Sequence, residues 1–219
     1  MTDLTKVLID KNYSCNSVWF MRQAGRYLPE FKKIRTQNKN FINLCLNSDL
    51  SSEITLQPIK RFNLDAAIIF SDILMVPYAL GQKVNFIKNY GPVLSEFNLE
   101  NFLKTKEEDF SKTLQPVYNA ITKTRLKIHK NKSLISFIGA PWTLIIYMLG
   151  LKDNKNKIAP SKININRNLI EKILNNLNKF LCLHIENQIK AGSDIVQIFD
   201  SWAGLIPNED MSNYCYSPN

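Results

Sequence analysis

The chain has 219 residues, 45% of them hydrophobic and 11% aromatic, which is enough for one well-buried core and excludes a disordered or fibrous class. Its formal charge of +9, from 28 Lys and Arg against 19 Asp and Glu, would suit an acidic partner. Yet the surplus is lysine interleaved with Asn and Ile along the whole chain, and no segment is both basic and aromatic as a nucleic-acid stacking platform would be.

Other absences narrow the class further. No apolar run approaches the ~20 residues of a membrane span, and Met1 to Asn12 carry no apolar core of a secretory signal. A cytoplasmic protein with no membrane association is expected. Cys15, Cys45, Cys182 and Cys215 are far apart and form no C-x-x-C pair, which fits reduced thiols rather than a disulfide frame or a zinc site.

In chain order, the first apolar run is Val18-Trp19-Phe20-Met21, short enough for a buried strand. A helix is expected over Ser52 to Phe62, bent at Pro58. A second strand follows at Ala66-Ala67-Ile68-Ile69-Phe70. Gln82 to Leu94 reads as an inserted hairpin turning at Asn89-Tyr90-Gly91. A helix covers Leu114 to Lys127, and Leu134-Ile135-Ser136-Phe137-Ile138 makes a third strand. Lys152 to Asn168 is a polar loop. Ile170, Ile173, Leu174, Leu177, Leu181 and Ile185 then mark one stripe of a helix that ends at Ala191-Gly192. The fourth strand is Ile195-Val196-Gln197-Ile198-Phe199. Alternating strands and helices predict an α/β fold with a parallel sheet. Four such units are half of an eight-unit barrel, and no phosphate loop or dinucleotide fingerprint marks an open nucleotide-binding sheet.

The chemistry-bearing residues directly follow the expected strands, where a βα barrel opens its active site. Arg22-Gln23-Ala24-Gly25-Arg26 places two guanidiniums and a glycine where they can converge on one anion, aided by N–H groups of a helix start. Spacing alone leaves equally open a helix with two solvated arginines. Asp72 in Phe70-Ser71-Asp72-Ile73-Leu74 is either a carboxylate at a barrel mouth or, with Ser71, a helix N-cap. Tyr147, after Gly139-Ala140-Pro141-Trp142-Thr143-Leu144, is a site residue or a core aromatic with a wet hydroxyl. Ser201 has no neighbouring His in sequence to make it a nucleophile, and Asp200 beside it is assigned a structural role. His184 falls on an apolar stripe as a core residue, His129 is solvated, and no metal cluster is expected.

Four strings carry a resemblance. Met21 to Glu30, Phe70 to Leu74, Gly139 to Leu144 with Tyr147, and Phe199-Asp200-Ser201-Trp202-Ala203-Gly204 are similar, in order and rough spacing, to the signatures of the uroporphyrinogen decarboxylase family. The resemblance implies a (β/α)8 TIM-barrel type, here about the first four βα units with a hairpin after strand 2. It treats 1–219 as a single domain, incomplete at the C-terminus. It implies a cofactor-free carboxy-lyase that converts the four acetate arms of uroporphyrinogen III to methyls, and a homodimer for full-length members. Asp72, Arg22, Arg26 and Tyr147 are the implied catalytic residues. Arg22, Gln23, Ala24, Gly25, Arg26, Asp72, Tyr147 and Ser201 are the implied substrate contacts. A late His of the family has no counterpart here, so the chain alone is expected to be inactive. The alternatives are a corrinoid-dependent methyltransferase on the same fold, which would need a zinc-bound thiol, and a non-catalytic tetrapyrrole-binding module.

Overall fold

The computed structural model describes residues 2–11, 16–25, 27–87, 91–151 and 167–219. Helices α1 (Asp3–Asp10), α2 (Pro29–Gln37), α3 (Phe41–Cys45) and α4 (Ser48–Arg61) precede strand β1 (Ala66–Ile68). Then come α5 (Met75–Ala79), the strands β2 (Val84–Ile87) and β3 (Gly91–Leu94), and helices α6 (Leu99–Lys104) and α7 (Glu107–Lys127). Strand β4 (Ser133–Gly139), α8 (Pro141–Met148), α9 (Arg167–Lys190) and β5 (Ile195–Phe199) complete the main elements, followed by short 3-10 and π turns.

Strands β1, β4 and β5 form one sheet in that order. β1 and β4 are parallel, with Ala66 opposite Ser133 and Ile68 opposite Ile135. The alternation of strands with helices therefore yields the parallel α/β architecture its pattern predicts. β2 and β3 pair antiparallel, with Val84 opposite Leu94 and Ile87 opposite Gly91, so the expected hairpin forms. Residues 88–90, which include Asn89 and Tyr90 of its expected turn, lie outside the described residues, as does 152–166 of the expected polar loop.

One expected strand does not form. Residues 16–20 belong to no regular element, and Val18, Phe20 and Met21 are largely exposed. Val18 accepts from Asp65 N–H at 3.0 Å, while its own N–H donates to the Asp65 carboxylate at 2.6 Å. One of these bonds goes to a side chain, so the Asp65 carboxylate takes the Val18 N–H that a strand partner would bond. β5 also departs from the expectation of a fully buried strand, being half-buried along its whole length. It is an edge of the sheet among the described residues, so one side of it has no strand neighbour.

The chain divides into two compact units. The first comprises residues 1–72, 114–137 and 185–197. Its cores gather Leu56, Ala67, Ile69, Ile121 and Leu134 in one cluster and Leu28, Phe31, Ile34, Leu44 and Ile54 in another. Thr2 caps α1 and hydrogen-bonds Ser133 at the start of β4. α4 starts four residues earlier than the apolar pattern suggests, because Asn47 accepts from the N–H groups of Asp49 and Leu50. Gly192 takes φ +113° after α9, the left-handed cap expected there. Beyond it the Asp194 carboxylate accepts from Leu134 N–H at 2.7 Å and from Arg125 at 2.8 Å.

The second unit comprises residues 73–113, 138–184 and 198–219. Gln82 donates from its amide to the carbonyls of Ser95 and Met148, each at 2.8 Å, which ties the hairpin to the end of α8. Phe102 and Phe110 pack against Phe180 with ring centroids 6.4 and 5.0 Å apart. Trp142, fully buried, stacks on Tyr214 at 5.2 Å. Arg167 forks onto the buried Asp210 carboxylate at 3.0 and 3.3 Å.

Candidate active site

In the first unit the described residues from Met21 to Leu28 form no helix, and the string enters α2 only with its last two residues, Pro29 and Glu30. α2 begins only at Pro29, after Leu28, so neither the helix-start anion site nor the solvated-helix reading describes Arg22. The string is pinned at three points. Gln23 is 3% exposed, and its side chain donates to Ala66 O at 2.7 Å and accepts from Ile68 N–H at 3.3 Å. Leu28 is 2% exposed in the core with Phe31 and Ile54. Glu30 receives both Nε and Nη2 of Arg61, at 3.0 and 2.9 Å, and that guanidinium lowers its carboxyl pKa.

Between the pins, Arg22 is exposed while Ala24 packs against the Leu28 core. Gly25 is buried beneath the Tyr27 ring, where an added Cβ would lie 1.9 Å from a ring carbon. Arg26 lies outside the described residues. Phe20, Met21, Arg22, Gln23, Tyr27, Pro58, Phe62 and Leu64 line a cavity of about 440 Å³ that is mostly apolar with one cation at its wall. Of the expected substrate contacts here, Arg22 presents its side chain, whereas the Gln23 amide is engaged on β1.

Asp72 follows the end of β1. Thr55, buried in α4, accepts Phe70 N–H at 2.8 Å, and Phe70 meets the rings of Phe31 and Phe41 edge-on at 5.9 and 5.8 Å. This holds the backbone that delivers Ser71 and Asp72. The N-cap alternative is not realised: α5 begins after Leu74 with no side-chain cap bond. Asp72 is half-buried. Its charge reaches the buried Cys45 thiol, which burial pushes well up and Asp72 raises further, while Arg35 opposes both.

In the second unit, Pro141 opens α8 directly after β4, where a missing N–H costs nothing. Gly139 is needed there, since an added Cβ would meet Leu144 at 2.8 Å and Ile73 at 3.1 Å. Tyr147 is half-buried near the end of α8 and meets Trp202 edge-on at 5.9 Å. It also lines a cavity of about 360 Å³ with Val93, Leu94, Phe97 and Leu169. Ser201 is exposed in the turn after β5.

That turn is held by contacts the sequence pattern does not reveal. Thr143 donates to Asp200 at 2.7 Å and accepts Trp202 N–H at 3.1 Å. Trp142 Nε1 donates to Trp202 O at 3.2 Å, and Cys215 donates to the other Asp200 oxygen at 3.4 Å. Burial and the Asp200 carboxylate both raise the Cys215 pKa. Asp200 thus has the structural role expected of it, and Thr143 is the partner that sequence reading missed.

The histidines lie where the patterns suggest. His184 is buried against the Phe110 ring, and burial pushes its pKa down to about 3. His129 is at an exposed helix end, bonded to Asn131 at 2.5 Å. Among the described residues no group of three or more His, Cys, Asp and Glu side chains is arranged to hold a metal ion, and no helix is long and apolar enough to cross a membrane.

Strands that alternate with helices and pair in parallel make this an α/β protein, with a TIM-barrel-like fold. The structure is similar to a methyltransferase from Methanosarcina mazei, with a TM-score of 0.66 over 81% of this chain and 56% of that one. At 18% identity the likeness speaks for the fold alone. The sequence profile of the uroporphyrinogen decarboxylase (URO-D) family matches residues 1–219, and the chain belongs to that family. Proteins named uroporphyrinogen decarboxylase from Rickettsia bellii, Orientia tsutsugamushi and Rickettsia felis are 43%, 44% and 41% identical over 92%, 100% and 96% of this chain. The chain spans 59%, 64% and 61% of their respective lengths.

Proposed function

We propose that this chain carries part of the active site of a uroporphyrinogen decarboxylase, a cofactor-free carboxy-lyase acting on the acetate arms of uroporphyrinogen III to give coproporphyrinogen III. The observation that carries the reading is the segment from Met21 to Glu30, pinned by Gln23, Leu28 and Glu30 so that Arg22 remains presented. Family membership and relatives of that name support it.

The chemistry asks for what these residues supply. A pyrrole acetate that loses CO2 directly would leave a carbanion, so the ring is first protonated at carbon and becomes an iminium-like electron sink. The C–C bond electrons then flow into the ring as CO2 leaves. Protonation of the exocyclic carbon gives the methyl, and the ring proton returns to solvent. Each cycle consumes one proton and releases one CO2. Asp72 supplies a negative charge for the pyrrole N–H groups and for the cation that forms, a preorganised electrostatic contribution. Arg22 and Arg26 bind the carboxylates with planar donors, and one of them stands as the proton donor. Tyr147 and Ser201 contribute hydroxyls to ring position and carboxylate binding. The positive charge balance steers a substrate with eight carboxylates.

On the same reading the chain is one domain holding about the first four βα units of an eight-unit barrel, with β4 and β5 contributing residues to both compact units. The substrate is a small molecule taken up in the cytoplasm by a homodimer. The methyltransferase alternative rests on a fold likeness only, and zinc content of a polypeptide of the relatives' length would separate the two.

The test is decarboxylation by a polypeptide of the relatives' length that carries this sequence. Asp72→Asn is expected to remove most turnover, while Arg26→Ala mainly raises KM. Near-normal turnover by the Asp72 variant would overturn the assignment.

A further inference from the structure

We propose that Gln23 is a positioning residue: its side-chain amide stands in for a missing strand neighbour on β1 and thereby couples the Arg22 loop to the strand that ends in Asp72. This rests on the tetrapyrrole reading above for what the coupling serves, but the clamp itself rests on geometry alone.

In a parallel pair, alternate peptide groups of a strand face opposite sides. Ser133 N–H donates to Asp65 O, and Ile69 N–H donates to Ile135 O, so those groups of the β1 segment face β4. Ala66 O and Ile68 N–H face the other way, onto the open edge. Left unpaired in this buried strand they would cost free energy. Gln23 satisfies both with one planar amide, donating to Ala66 O at 2.7 Å and accepting from Ile68 N–H at 3.3 Å. A glutamine amide has the same donor and acceptor groups as a peptide unit, and few side chains do. Asp65 completes the pattern one step back, bonding Val18 by backbone and by carboxylate.

The consequence is positional. Arg22 is one residue from the clamp, and Asp72 is four residues beyond Ile68, with Phe70 N–H already held by Thr55. The two groups that would meet a tetrapyrrole at a peripheral carboxylate and at its central nitrogens thus share one backbone frame. A small misplacement of such a pair lowers affinity more than it lowers stability.

Three forms of the chain decide this: wild type, Gln23→Leu, and Gln23→Glu. Uroporphyrin III, fluorescent and bearing the same eight carboxylates, is the binding probe, and amide hydrogen exchange reads the clamp. In Gln23→Leu, protection at Ile68 should fall while that at Leu134, held by Asp194, stays. Uroporphyrin affinity should weaken by about tenfold at a temperature where both forms are folded. Gln23→Glu places a carboxylate against the Ala66 carbonyl and should bind weakly near neutral pH. Once protonated it is a near copy of glutamine, so its affinity relative to wild type should recover as pH falls, a recovery Gln23→Leu cannot show. If Gln23→Leu does not fold, the glutamate variant read above and below its titration carries the same test. Unchanged Ile68 exchange in Gln23→Leu, or a glutamate variant whose affinity relative to wild type does not recover with acid, overturns the clamp. Loss of the clamp with unchanged affinity overturns the positioning role. A wild-type chain that does not bind uroporphyrin III overturns the tetrapyrrole reading, while Ile68 exchange still decides the clamp.

Discussion

The Thr143 hydroxyl donates to the Asp200 carboxylate at 2.7 Å and accepts the Trp202 N–H at 3.1 Å, so one residue of α8 closes the turn that follows β5. Thr143 is fully buried. Thr143→Val keeps the shape but leaves both partners short of a bond, at a cost of about 1 to 3 kcal/mol. Thr143→Ser retains the hydroxyl and should cost about 1 kcal/mol or less. Urea midpoints at constant slope measure both. Equal midpoints for the valine and serine forms would mean that the hydroxyl holds nothing.

His184 predicts an acid-sensitive stability. Its imidazole protonates near pH 6.5 in an unfolded chain, whereas burial pushes the folded pKa down to about 3. Between those values the unfolded state binds the additional proton. The stability from the neutral buried ring is therefore complete above about pH 6.5 and falls by about 1.4 kcal/mol per pH unit on acidification toward 3. His184→Leu removes that titration. The difference in unfolding free energy between wild type and variant should grow with acid in the variant's favour from pH 7 to pH 5. A difference independent of pH would contradict it.

Gly25 predicts an effect on binding rather than on folding. An added Cβ would meet the Tyr27 ring at 1.9 Å, but that ring is 59% exposed and can swing outward. Gly25→Ala should cost about 1 kcal/mol or less in thermal unfolding. It should move Tyr27 off the cavity it lines with Arg22. Uroporphyrin titration and tyrosine accessibility measure the second effect, and unchanged affinity with unchanged accessibility would show the loop to be more forgiving.

Much of the fold was legible in the chain's periodicity. Three apolar runs are strands because β-branched and aromatic residues cluster between helices, and the stripe through Ile170, Leu177 and Leu181 is buried as its spacing requires. Val18 to Met21 misled because a short apolar run does not say whether a neighbour exists to pair with it. The early starts of α4 and α7 were signalled by Asn47 and by Glu107-Glu108-Asp109, cap and dipole residues that apolar spacing ignores.

The candidate site divides in the same way. The strings around Arg22, Asp72, Tyr147 and Ser201 are contiguous, so the sequence by itself determined the family, the parallel α/β class and the residue types available for anion binding. What each side chain does was decided only by tertiary structure. Gln23 bonds Ala66 and Ile68 across 43 and 45 residues, and Thr143 bonds Asp200 across 57. Such pairs have no local spacing to betray them. They arise because folding leaves particular peptide and carboxylate groups buried, and a buried polar group must find a partner wherever in the chain one comes to lie.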